Sequence, residues 1–238
     1  MSSLTFKTAV GCDCLTVWIS FYLTGNRSSG RTPLSWELRS SIALAAARGL
    51  EYIHSMSSTA SHANIKSSNV LLGKSYQARV SDSGLNTLVG PSSSPSRTTG
   101  YRAPEVIDSR RGSQKADVYS FGVLLLELVT GKAPSQAALN DEGVDLPRWV
   151  QSVNRSEWGS EVFDMVEVMR HQTGEEPLAQ LVLLAMDCVA QVPDARPSMA
   201  HVVMRIEEIK KSSGASNIEQ VDQSSKAESE VQTNPFAT

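Results

Sequence analysis

The chain has little cysteine, few aromatic residues and no long apolar run. Its 238 residues include 3 cysteines, and 6% of the residues are aromatic. A disulfide framework needs a larger and even number of cysteines, so this count favours a reducing compartment. A helix that crosses a bilayer needs about 18 to 20 apolar residues, and the apolar stretch 15–23 is too short. The sequence therefore predicts neither a disulfide-stapled secreted protein nor a membrane span.

A strong excess of charge is also missing. The net charge is −3 and the isoelectric point is near 5.8, so charge gives no support for binding to nucleic acid or to an anionic membrane. Cys12 and Cys14 lack a second Cys/His pair nearby, which favours incidental thiols over a zinc site. The hydrophobic content of 40% is ordinary for a globular protein, and one domain with a buried core is expected.

Three short motifs follow one another through the middle of the chain. Residues 62–69 read HANIKSSN, residues 82–84 read DSG, and residues 103–105 read APE. Their order resembles that of the catalytic loop, the metal-binding aspartate and the end of the activation segment in a protein kinase.

Residues from about 25 to 211 resemble the C-terminal lobe of plant leucine-rich-repeat receptor-like kinases. The most similar subgroup carries HGN in place of HRD and is often described as probable inactive receptor kinases. Further motifs that carry the resemblance are GLEYIH at 49–54, TGYRAPE at 99–105, KADVYSFG at 115–122 and DARPSM at 194–199.

The resemblance implies a mainly α fold: an α+β protein-kinase-like C-lobe with a small β-hairpin at the catalytic loop and no N-lobe. Only 61 residues precede His62, and they contain neither a GxGxxG loop nor a VAIK-like strand. We expect an unmatched segment at 1–23, a partial kinase domain at 24–211 and a disordered tail at 212–238. Truncation or a faulty gene model would each explain a missing N-lobe, and alternative splicing or a faulty gene model would explain a non-homologous segment at 1–23.

Hydrophobic periodicity predicts the helices of this lobe. A long helix follows the N-cap candidate Ser35, and an almost wholly apolar helix over 118–129 stops at Gly131. Shorter helices are predicted over 146–153 and 177–189, and a last one opens at Arg196-Pro197. The β segments 69–72 and 78–81, joined by a turn, predict the hairpin.

A hairpin of this kind would bring Asn69 and Asp82 together at its open end. By resemblance, Asp82 holds magnesium against nucleotide phosphates, Asn69 is a second metal ligand, and Lys66 steadies the transferring phosphate. These oxygen donors suit a hard cation. The alternative is that the three residues persist because they brace the catalytic loop.

Two departures from the family pattern affect the chemistry. Asn64 stands where a working kinase has its catalytic base, and a lost general base costs about a hundred- to ten-thousandfold in rate. Ser83 replaces the phenylalanine that fixes the direction of the metal-binding aspartate. Because magnesium relies on substrate phosphates as ligands, Asn69 and Asp82 are expected to hold it only weakly without nucleotide. Mg-ATP is the family's cofactor, but this chain is not expected to bind it.

Three further residues are assigned structural roles by resemblance. Asp117 accepts hydrogen bonds from the catalytic-loop backbone, and Glu105 and Arg196 form a buried ion pair. His62 is interpreted as a core histidine. The hydroxyl-rich stretch 89–99, the activation segment by resemblance, is either a phosphorylation region or, as we favour, a solvated loop.

These observations predict a pseudokinase that serves signalling by binding proteins. The alternative is a Ser/Thr-type kinase whose N-lobe is missing from this chain; a third possibility is that the isolated lobe has no function. Protein partners are expected and nucleic acid is not. A cytoplasmic location is expected for this chain, and the cytoplasmic side of the plasma membrane for the full-length family.

Overall fold

The computed structural model describes residues 17–24, 34–73, 77–83, 100–106, 112–134, 145–164 and 174–213, and most of these described residues are helical. The elements in chain order are β1 (Val17–Trp18), α1 (Ile19–Thr24), α2 (Trp36–Met56), β2 (Val70–Leu72), β3 (Ala78–Val80), α3 (Gln114–Thr130), α4 (Leu146–Ser152), α5 (Trp158–Glu161), α6 (Glu175–Cys188) and α7 (199–213). Single 3-10 turns lie at Ser67–Asn69, Arg155–Glu157 and Pro193–Ala195. The mainly helical prediction is confirmed.

Helix α3 lies at the centre of the lobe and is buried on nearly all sides. The Ser113 hydroxyl caps its start by accepting from the Ala116 N–H at 3.1 Å. Gly131 ends it in the left-handed conformation, with φ 65°, which glycine adopts without a Cβ clash. Gly122 lets α6 approach closely, because a Cβ there would lie 2.7 Å from the Cys188 Cβ.

Helix α2 begins at the predicted cap: the Ser35 hydroxyl accepts from the Leu38 N–H at 3.4 Å. The first and last helices of the lobe's core are joined by polar contacts. Trp36 Nε1 donates to Ser213 Oγ at 3.0 Å, and Lys210 Nζ donates to Ser41 Oγ at 2.7 Å. These bonds join the start of α2 to the end of α7, across 177 and 169 positions of the chain.

The predicted hairpin is present, and it belongs to a three-stranded antiparallel sheet. Strands β2 and β3 pair with Val70 opposite Val80, and β1 covers the other edge of β2. The sequence did not predict β1. Ile19 of α1 is fully buried in the core, so residues 17–24 pack against the lobe although the resemblance does not begin until about residue 25.

The last helix begins at 199 and not at Arg196. Arg196 is extended, with φ −72° and ψ 141°, because a residue that precedes proline is disfavoured in the helical region. The Ser198 hydroxyl then accepts from the His201 N–H at 3.3 Å. The predicted tail starts at 212, but residues 212 and 213 still belong to α7. The rest of the tail, from 214 onward, and the stretch 89–99 lie outside the described residues. Within the described ranges, none of the helices combines the length and hydropathy that a bilayer crossing requires.

Candidate functional site

The Asp117 carboxylate holds the start of the segment 62–69. Its Oδ2 accepts from the His62 N–H at 2.6 Å and its Oδ1 from the Ala63 N–H at 2.8 Å. His54 Nε2 lies 2.9 Å from the same Oδ2, a contact that the sequence did not predict. Asp117 is buried in the first turn of α3, where the helix dipole favours a negative charge. The carboxylate therefore fixes the segment against the central helix.

The next two residues show how tightly this segment is shaped. Ala63 has φ 63°, the left-handed region that is unfavourable for a residue with a Cβ. His62 is fully buried; its Nε2 lies 3.0 Å from the Ser81 carbonyl, and its Nδ1 accepts from the Asn64 N–H at 3.3 Å. Burial lowers the pKa of His62, which together with these partners favours a neutral ring protonated on Nε2.

Asn69 braces the segment from its far end. Its buried side-chain Nδ2 donates to the Asn64 carbonyl at 2.7 Å, and its own carbonyl accepts from the Ser81 N–H at 2.8 Å. Among the described residues, none forms a hydrogen bond with the side chain of Asn64 or of Lys66. Those two side chains are partly exposed. The segment is thus held through its backbone.

Asp82 lies two residues after the end of β3, at the open end of the hairpin. Because Val70 pairs with Val80, Asn69 and Ser81 lie just outside that pair, and Asp82 is the next residue at the same end of the sheet. Asp82 is exposed and has φ 64°, a conformation that aspartate tolerates better than most residues. Ser83 is exposed as well.

The fit of this end of the hairpin to magnesium is partial. Asn69 uses its amide nitrogen on the backbone, which leaves its amide oxygen as a donor of the type that magnesium prefers. Asp82 offers a carboxylate. The described part of the chain contains no group of three or more His, Cys, Asp or Glu side chains that could hold a metal. Magnesium, which requires near-octahedral oxygen coordination, would need water or nucleotide phosphates for its remaining ligands.

Glu105 and Arg196 form a two-pronged ion pair. Nη1 donates to Oε1 at 2.6 Å and Nη2 to Oε2 at 2.9 Å. The Arg196 side chain is 0% exposed, and its Nε donates to the Ala190 carbonyl at 2.8 Å. The hydrogen bonds from Arg196 lower the pKa of Glu105. The pair ties the segment 100–106 to the turn that precedes α7.

A second buried cluster joins the segment 62–69 to α3, and the motifs do not single it out as a site. The Glu127 carboxyl is hydrogen-bonded to the Tyr101 hydroxyl and accepts from Ser67 Oγ at 3.0 Å. Glu127 is 1% exposed. The available signal in the sequence is the position of this glutamate, alone in the apolar run VLLLELV, since a charged residue is almost never fully buried without partners.

Arg39 is a further buried charge that the motifs do not identify. It is 1% exposed; its Nε donates to the Leu34 carbonyl at 2.7 Å and its Nη2 to Asp164 Oδ2 at 2.8 Å. Its Nη1 donates to the Leu128 carbonyl of α3. The guanidinium therefore joins α2 to α3 and to the residues that follow α5.

Several known proteins are similar to this chain. Residues 22–206 match the model of the protein kinase domain. Two Arabidopsis thaliana proteins named as probable inactive receptor kinases are similar to this chain. The first is 55% identical over a match that covers 86% of this chain, and the second is 59% identical over 82% of it. A probable leucine-rich repeat receptor-like protein kinase from the same plant is 54% identical over 79% of the chain. The chain spans 31%, 30% and 28% of the lengths of these three relatives.

A solved structure is similar as well. It is the pseudokinase domain of BIR2, described as an immune regulator of the RLK/Pelle family, with 34% identity and a TM-score of 0.65. The match covers 86% of this chain and 61% of that one.

Proposed function

We propose, since the chain belongs to the protein kinase domain family, that its lobe serves signalling as a pseudokinase that binds other proteins without transferring phosphate. One observation carries the proposal. The segment 62–69 is held firmly by Asp117 and Asn69, yet its third residue is Asn64, a carboxamide with no useful basicity at neutral pH. The relatives named as inactive receptor kinases and the pseudokinase neighbour support the same conclusion.

Mg-ATP binding by this chain is proposed to be weak or absent. Asn69 and Asp82 supply two oxygen donors, and Asp82 is exposed and followed by Ser83. A serine cannot fill the volume of a phenylalanine ring, so little packing directs the carboxylate. By analogy with the receptor kinases among its relatives, we propose that the lobe meets its protein partners at the cytoplasmic face of the plasma membrane.

A thermal-shift titration of the full chain tests the proposal. We expect the melting temperature to change no more with Mg-ATP than with magnesium alone, because a ligand stabilises a fold only when it binds the native state. An incubation with radiolabelled ATP provides the second readout, and no labelled protein is expected. A large Mg-ATP stabilisation, or a label that Asp82→Ala abolishes, would contradict the proposal.

Phosphotransfer by a Ser/Thr-type kinase is the second candidate. The retention of Lys66, Asn69 and Asp82 favours it, since these side chains are of the types that the reaction uses. Phosphoryl transfer depends more on positioning and electrostatics than on the strength of a base. The same labelling experiment, repeated on a longer protein that includes an ATP-binding lobe, separates this candidate from the first.

A further inference from the structure

Three oxygen-bearing side chains meet in the buried cluster formed by Ser67, Tyr101 and Glu127. Ser67 Oγ lies 3.0 Å from Glu127 Oε1 and 3.0 Å from the Tyr101 hydroxyl oxygen. The Tyr101 hydroxyl also contacts Glu127 Oε2. All three residues are at most 7% exposed. The three groups therefore form a closed ring of pairwise contacts.

The number of hydrogens decides whether all three contacts are hydrogen bonds. Each hydroxyl has one hydrogen and an ionised carboxylate has none, so an ionised Glu127 leaves two hydrogens for three contacts. The contact between Ser67 Oγ and the Tyr101 oxygen would then join two oxygens with no hydrogen between them. A protonated Glu127 adds the third hydrogen. Glu127 then donates to Tyr101, Tyr101 to Ser67 and Ser67 back to Glu127.

We propose that a proton on Glu127 closes this ring, and that the loss of this proton loosens the segment 100–106 from the segment 62–69. The ring joins three parts of the lobe: Ser67 belongs to the catalytic-loop segment, Tyr101 to the segment that ends near Glu105, and Glu127 to the central helix α3. The device is a proton-linked clasp. It does not depend on whether the lobe transfers phosphate.

The surroundings of Glu127 favour the neutral carboxyl. Burial is the main cause that raises the pKa of Glu127 to about 7, against the opposing effect of hydrogen bonds from Tyr101 and Ser67. Tyr101 is the titratable group that faces it, and burial also raises the pKa of that phenol. No cation among the described residues contacts the carboxyl.

Neighbouring elements bring their ionisable groups elsewhere. The Arg39 guanidinium, on α2, donates to the Leu128 carbonyl of α3 and not to the Glu127 carboxyl. From α6, the buried Cys188 thiol lies opposite Gly122, more than one turn away. Lys66 adjoins Ser67 in the chain, but its ammonium is not bonded to any described residue. Tyr101 also keeps a backbone link to α3, since Ser120 Oγ donates to its carbonyl at 2.8 Å.

Carbon-13 NMR of the full chain, labelled at the glutamate side-chain carboxyl, provides a direct test. One glutamate signal is expected to titrate near pH 7, well above the others, and to be absent from Glu127→Gln. This measurement on the unmodified protein needs no variant to detect the titration. If every glutamate titrates near its ordinary value, the proposal is wrong.

Hydrogen exchange tests the consequence for the segment 100–106. A carboxyl with a pKa of about 7 in the closed state and 4.5 when released makes opening about tenfold more frequent at pH 8 than at pH 6. The protection factor, which is corrected for the intrinsic effect of pH, should fall by about that factor. In Glu127→Gln it should stay constant, because the amide donates to Tyr101 and accepts from Ser67 at every pH.

The matched control is Glu161→Gln, which removes an exposed carboxylate from α5 and should show the same pH dependence as the unmodified chain. A fall in protection that is equal in the unmodified chain and in Glu127→Gln would overturn the clasp. So would a protection factor that does not change with pH in the unmodified chain.

Discussion

The side chain of Asn69 donates a hydrogen bond to the backbone carbonyl of Asn64 at 2.7 Å. The residue assigned by resemblance to a metal is thus also a brace of the loop that carries the base position. The two roles use different atoms: the amide nitrogen braces the backbone, and the amide oxygen is the group that a cation would use. The presence of Asn69 is therefore not, by itself, a sign of catalysis.

Replacing Asn69 tests the bracing role. Asn69→Ala leaves the Asn64 carbonyl without its partner, and we expect a loss of about 1–3 kcal/mol in the free energy of unfolding. Urea denaturation measures the loss. The control is Asn64→Ala, whose side chain is not bonded to any described residue and which should change stability by about 0.5 kcal/mol or less. Equal losses of stability from the two substitutions would show that the Asn69 side chain does not brace this segment.

Restoring an aspartate at the base position tests the chemistry. We expect Asn64→Asp to give no detectable phosphotransfer in this chain, since a base contributes only about a hundred- to ten-thousandfold and transfer depends mainly on positioning. Incorporation of radiolabelled phosphate is the measurement. A labelled product from the variant alone would show that the carboxamide is the decisive defect and that nucleotide does bind.

Arg196 is expected to be among the costliest residues to replace. Arg196→Met removes the guanidinium partner of Glu105 and of the Ala190 carbonyl. Only the arginine of this pair is fully buried, since the Glu105 side chain is 32% exposed, so we expect a loss of about 1–3 kcal/mol from the unmade hydrogen bonds. The matched control is Arg205→Met. Arg205 pairs with Glu208 at the surface, three residues along the same helix, and such exposed pairs contribute about 0.2–1 kcal/mol. Comparable losses in the two variants, measured by urea denaturation, would contradict the buried-pair interpretation.

The same ion pair predicts a dependence on acid. The pKa of Glu105 is lower in the folded chain than its ordinary value of 4.5, chiefly because Arg196 donates hydrogen bonds to it. The unfolded state therefore binds the proton first, so this contribution is present above pH 4.5 and is lost as the pH falls through the folded pKa. Glu105→Gln should lose less unfolding free energy than the unmodified chain between about pH 5 and pH 3. Parallel curves for the two proteins would be inconsistent with this linkage.

Gly122 is expected to tolerate no side chain. A Cβ there would lie 2.7 Å from the Cys188 Cβ and 2.9 Å from the Ala185 carbonyl, so Gly122→Ala should force α3 and α6 apart at a cost of about 1–3 kcal/mol. Thermal unfolding measures this. Gly73→Ala serves as the control, because its added methyl would meet the Gln77 carbonyl at an ordinary 3.9 Å. A melting temperature for Gly122→Ala that matches the control would show that the helices can adjust.

Several features follow from the sequence because they depend on neighbours in the chain. The Ser35 cap, the stop at Gly131 and the β2–β3 hairpin are local, and each was predicted and is present. The placement of Asn69 and Asp82 at the same end of the sheet also follows from the hairpin. The predicted start of α7 at Arg196 is wrong, because Pro197 disfavours the helical region for the residue before it.

Other features depend on distant parts of the chain. The strand β1 forms by pairing with the free edge of β2, and Ile19 of the following helix is buried in the core. No local sequence pattern predicts that this edge of β2 is free to pair. The roles assigned to Asn64, Lys66 and Asp82 stay predictions, since they concern chemistry with a nucleotide.

The sequence by itself determined five of the seven described helices and where several of them begin and end. It also determined that the chain carries a kinase-like order of motifs with a carboxamide at the base position. Only the tertiary structure decided the partners of the buried charges: Glu127 with Ser67, 60 positions away, and Arg39 with Asp164, 125 positions away. The physical reason is that hydrophobic periodicity reports which face of a helix is buried. It does not report which polar group from a distant element is buried opposite that face.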